Sequence, residues 1–90
     1  MAVRAKFRIT KIERMISSVP DPANLGKWKD GVVVSIHAAP VYGNGDPNHE
    51  NTKFWQSSPS GSIVLGTVNE AAAEQFVLGG EVYVDFTPAG

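Results

Sequence analysis

Apolar and cationic residues alternate strictly at the start of the chain: Val3, Ala5, Phe7 and Ile9 share one parity, and Arg4, Lys6 and Arg8 the other. A period of two marks a half-buried strand, so residues 3–9 predict a strand with one apolar and one cationic face. Beyond Thr10 the apolar phase moves to Ile12 and Ile16. One extra residue in a β-bulge near Thr10 or Lys11 keeps the apolar side of a continuing strand inward. A second strand is predicted over 32–42, with Val32, Val34, Ile36 and Ala38 on one face until Pro40, which suits a sheet edge. Residues 62–68 read as a third strand. Residues 81–87 read as the last, with Val82, Val84 and Phe86 alternating against Glu81, Tyr83, Asp85 and Thr87. Pairing of the first and last strands places Arg4, Lys6 and Arg8 opposite Glu81 and Asp85, and puts Phe7 and Phe86 inside.

Between these strands the turn formers cluster. Residues 17–31 (SSVPDPANLGKWKDG) hold two prolines, two glycines and the pair Asp30-Gly31, and predict a long loop ending in a tight turn and anchored by Trp28. Residues 43–51 (GNGDPNHEN) are turn chemistry throughout. Residues 52–58 fit a helical turn or a fifth short strand, with Phe54 rather than Trp55 in the core. Asn69 is placed to cap a helix of about two turns over 70–76, rich in alanine and ended by Gly79-Gly80. The order predicts a mainly β fold, a small five-stranded barrel or sandwich of OB-like or SH3-like form, with one short helix before the last strand. Residues 1–90 form a single β-rich domain.

Composition narrows the function. A formal net charge of −1 gives no general bias toward polyanions, and 42% hydrophobic content marks a globular chain. With no cysteine, neither a disulfide framework nor a thiolate zinc site supplements the core. A chain of this length buries only about 60–65% of its unfolded surface, so contact with neighbours would add needed stability. The early cations lack an apolar h-region behind them, so no signal peptide is expected, and no apolar run approaches membrane-spanning length.

No catalytic constellation stands out, no cofactor is implied, and the chain is expected not to be an enzyme. Asp46, Asn48 and Glu50 alternate as in the start of a calcium loop, but the central Gly is missing and Ser57 stands where the bidentate Glu belongs. His37 and His49 are isolated, and the serines 57, 58, 60 and 62 flank a turn without an evident base. Gly43-Asn44-Gly45 lacks the remainder of a phosphate loop. Three surface features stay open. The loop side chains Asn44, Asp46, Asn48, His49 and Glu50 form a candidate partner-contact loop. Trp28, Tyr42 and Trp55 are candidate ligand or interface aromatics, and Arg4, Lys6 and Arg8 a candidate basic face for nucleic acid.

The stretches PVYGNGDPNHENTKFW, SPSGSIVLGTVNEAAAEQF and GGEVYVDFTPAG, with the opening VRAKFRITKIER, resemble small uncharacterised proteins of tailed bacteriophages. Val82 departs from the Tyr that similar chains tend to carry. The resemblance implies a phage protein made in the host bacterial cytoplasm and incorporated in virions, with no catalytic residue to carry over. The leading expectation is a virion structural protein, a capsid decoration or small head or tail component docking on a symmetric lattice. Its partners would be other phage structural proteins or copies of itself, with no membrane involved. The alternative is a small phage protein binding nucleotides or single-stranded nucleic acid, for example one that sequesters host defence signals.

Overall fold

In a computed structural model that describes residues 3–90, two long strands dominate: β1 (Val3–Pro20) and β2 (Trp28–Pro40). They are followed by α1 (Glu50–Trp55), β3 (Ile63–Thr67), α2 (Glu70–Ala73) and β4 (Glu81–Phe86). The strands form one open antiparallel sheet in the order β3-β2-β1-β4. The mainly β class is as expected, but the five-stranded barrel is not. β3 and β4 lie at opposite edges and do not meet, and residues 52–58, which fit a helical turn or a fifth strand, begin in the helix α1 and add no strand.

The first-strand pattern sets the layering. Ala5, Phe7 and Ile9 are buried, and the ladder places Val84 opposite Ala5, Val82 opposite Phe7 and Ala38 opposite Ile9. The register shifts between Ile9 and Lys11, so Ile12 pairs with Ile36 and the apolar face continues across the bulge as predicted. Ala73 of α2, with Phe76 just beyond it and Trp55 of α1, packs on this one face. Asn69 caps α2 by accepting the Ala72 N–H, but the helix is a single turn; residues 74–76 continue only as tight turns.

A further expectation fails for an identifiable reason. Residues 17–20 and 28–31 are strand, not loop, and the connection narrows to residues 21–27. Pro20 sits at the end of the ladder, where its missing N–H costs nothing, and Gly31 leaves room for the Val19 side chain, which a Cβ would overlap. β2 is interior only over residues 34–38, where β3 flanks it; Pro40, at its last position, pairs with Phe7 of β1 alone and so stands at a local edge as expected.

The result is an elongated body. Its radius of gyration is 16.6 Å, against about 12 Å for a compact chain of this length. Beyond the rungs shared with β3 and β4, residues 15–20 and 28–33 continue as a two-stranded ribbon roughly 20 Å long with no strand on either side, Val19 buried within it and Val32 packed against the core.

Candidate docking surface

The ribbon ends in a structured tip. The Asp21 carboxylate accepts the Ala23 N–H at 2.9 Å and the Asn24 side-chain N–H at 3.1 Å, and Lys27 N–H bonds back to the Asn24 carbonyl at 3.0 Å. The hydrogen bond from the Asn24 side chain, then that from the Ala23 N–H, holds the Asp21 carboxyl below its ordinary value. Apolar side chains stand in solvent at this tip and along the ribbon behind it: Leu25 is 96% exposed, Trp28 65% and, on β1, Ile16 73%. Trp28, expected to anchor a loop, projects at the last rung of the ladder opposite Pro20.

The second apolar surface is the half-covered sheet face. A groove of about 460 Å³ runs over it, floored by Ile9, Ile36 and Val82 and walled by Leu65, Phe76 and Phe86. Phe86, expected inside, is 49% exposed at its end.

The opposite face is charged and internally neutralised. The register pairs Arg4 with Asp85, Lys6 with Tyr83 and Arg8 with Glu81. Arg4 Nε donates to Asp85 at 2.7 Å, and Arg8 Nε donates to the Gly79 carbonyl at 3.2 Å. Lys6 Nζ lies 3.6 Å from Glu50 and 3.7 Å from Glu81. Arg4 and Lys6 both sit over the Tyr83 ring, at 4.7 and 5.3 Å. The Arg4 hydrogen bond holds the Asp85 carboxyl down and raises the Arg4 guanidinium in turn. Desolvation pulls the Lys6 ammonium down, but Tyr83, Glu50 and Glu81 outweigh it and leave it raised.

Residues 43–51 are built into the fold. Asn44 and Gly45 both have positive φ, and Asp46 N–H donates to the Gly43 carbonyl, the type I′ turn that an Asn-Gly pair favours. Gly43 is buried against Thr52 and His49, where a Cβ would not fit. Asp46 accepts the Asn48 N–H, and His49 Nδ1 accepts the Asn51 N–H to cap α1. Glu50 reaches Lys6; its own backbone N–H is the main cause of its lowered pKa, with desolvation opposing and the charges of His49 and Lys6 assisting. Asn44, Asp46 and Asn48 keep exposed side chains, whereas His49 and Glu50 are half-buried.

Asn51 went unnoticed in the sequence. It is fully buried, and its amide bridges the place where β2 leaves β1. Its Oδ1 accepts the Lys6 N–H at 2.6 Å, and its Nδ2 donates to the carbonyls of Lys6 at 2.8 Å and Val41 at 2.7 Å. Only its place at the end of a polar loop, just inside a short helix, signalled it.

The three aromatics are not gathered into one platform. Trp55, not Phe54, meets the core, its ring 6.2 Å from that of Phe7 and its Nε1 donating to the Ser60 carbonyl. Trp28 opens the 13-residue β2 and Tyr42 lies two residues past its far end, roughly 40 Å away. A cleft of about 360 Å³ beside Tyr42 is lined by Thr52, Gln56, Ser57 and Ser58 and holds no charged side chain. Among the described residues no three His, Asp or Glu side chains gather as a metal site, and no helix is long and apolar enough to cross a membrane. Compared with known proteins, the chain matches no family model, no curated protein and no solved structure.

Proposed function

We propose that this chain is a bacteriophage virion structural protein, a capsid decoration or small head or tail component, which docks on a symmetric lattice through its β1–β2 ribbon. The observation that carries the reading is surface left unburied. The chain exposes 6391 Å², whereas a folded monomer of 9.6 kDa exposes about 5,100 Å². The excess of about 1,300 Å² exceeds the roughly 800 Å² that a standard interface takes from one partner. A projecting ribbon with Ile16, Leu25 and Trp28 in solvent, and an apolar groove on the four-stranded part of the sheet, is surface suited to burial against neighbours. The phage source rests on the resemblance of the motifs.

Quantitative mass spectrometry of purified particles tests the reading. Copy numbers commensurate with the lattice are expected. Absence from particles, together with saturable binding of a nucleotide or of single-stranded DNA by the purified chain, would overturn it in favour of the nucleotide-binding alternative.

A further inference from the structure

We propose that the outer edge of β3 pairs with the same edge of a second copy, joining two four-stranded sheets into one antiparallel sheet of eight. Every other free edge carries charge, which discourages edge-to-edge pairing. β4 has Glu81 and Asp85 and is followed by Pro88; the free edge of β1 has Lys11, Glu13 and Arg14, and its uncharged stretch 15–19 is flanked by Arg14 and closed by Pro20; the ribbon part of β2 has Lys29 and Asp30. β3 reads IVLGT, and the run from Gly61 to Asn69 contains no charge and no proline. Among the described residues its backbone bonds to β2 and to nothing on its other side. Val64 is 59% exposed and Leu65 50%.

The sequence of the edge complements itself. A two-fold axis perpendicular to the sheet keeps both apolar faces on the same side only when residues of equal parity oppose each other. The register centred on Leu65 does this and pairs all of β3. It sets Leu65 against Leu65 of the second copy, Ile63 against Thr67 and Val64 against Gly66, with no charge opposed. Leu65 and Ile63 also line the apolar groove, so the two grooves would meet across the axis. A second copy is the occupant because this register is uncharged and self-complementary, and because it joins the two apolar grooves that Ile63 and Leu65 line. The inference stands apart from the phage reading: it concerns the isolated chain in solution.

Sedimentation equilibrium of the purified chain up to millimolar concentration tests it, with Leu65→Lys and Leu65→Glu beside the native protein. The native mass should rise with concentration from 9.6 kDa toward twice that value. Each variant should stay monomeric, because like charges would face each other across the axis, and an equimolar mixture of the two should recover the dimer. Hydrogen exchange of the native chain at low and high concentration gives a readout independent of the variants' folding: amides in 63–67 should gain protection and those in 15–20 should not. A native chain monomeric throughout, folded variants that still dimerise, a mixture that does not pair, or protection confined to the ribbon would each overturn the proposal.

Discussion

The Asn51 side chain is inserted between Lys6 and Val41, the next pair beyond the β1–β2 ladder: Val41 N–H still donates to the Lys6 carbonyl at 3.1 Å, but the amide takes the place of the return bond from the Lys6 N–H to the Val41 carbonyl. It accepts the Lys6 N–H at 2.6 Å and donates to the Lys6 carbonyl at 2.8 Å, while a second donor N–H holds Val41. The β1 ladder is thus completed by a side chain, which ties α1 and the preceding loop to the first strand. Asn51→Ala should cost about 2–5 kcal/mol by leaving backbone groups unpaired. Asn51→Asp should cost at least as much, since a carboxylate would face two carbonyls. Chemical denaturation measures both; a loss under about 1 kcal/mol for both would show that water replaces the amide.

Phe7 and Phe86 share a face but not a depth. Phe7 is 5% exposed beside Trp55, whereas Phe86 is 49% exposed at the end of β4. Phe7→Ala should therefore destabilise by about 3–5 kcal/mol and Phe86→Ala by about 1 kcal/mol. Equal losses in denaturant titrations would mean that the groove beside Phe86 is closed in solution.

Asp21, Glu50 and Asp85 all hold their protons less tightly in the folded chain than in the unfolded one. The stability they confer is complete above the ordinary carboxylate range, near pH 4, and is lost as the pH falls through their lowered values. The denaturation midpoint should fall on acidification below about pH 5, and less steeply in Asp85→Asn. An identical acid slope in that variant would remove the Arg4–Asp85 pair from the account.

The parity of residues 3–9 was enough to read the first strand, its bulge and its pairing with the last strand, because each side chain on that face has one physical place to go. The cationic parity likewise found Asp85 and Glu81. The ribbon was hidden because Pro20, Pro22, Asp30 and Gly31 are turn formers by local preference. Here the ladder overrides that preference, with Pro20 at its end and Gly31 beneath Val19. The barrel failed for a different reason: strand count and order do not specify closure, and β3 and β4 are bound to opposite edges of the central hairpin. Asn51 was invisible because a buried amide acting as a strand's hydrogen-bonding partner has no periodicity.

Leu25 and Trp28 touch solvent far more than protein, so they should contribute little to the fold itself. The double substitution Leu25→Ser with Trp28→Ser should shift the thermal midpoint by no more than a few degrees. A large drop by calorimetry would make the tip a structural element.

The most direct test of docking through the ribbon is loading onto purified particles stripped of this chain, comparing the native protein with that double variant. The account predicts that the native chain saturates the particles at a copy number set by their lattice, and that the folded variant fails to load. Equal loading of the two, or no loading of the native chain, would contradict it.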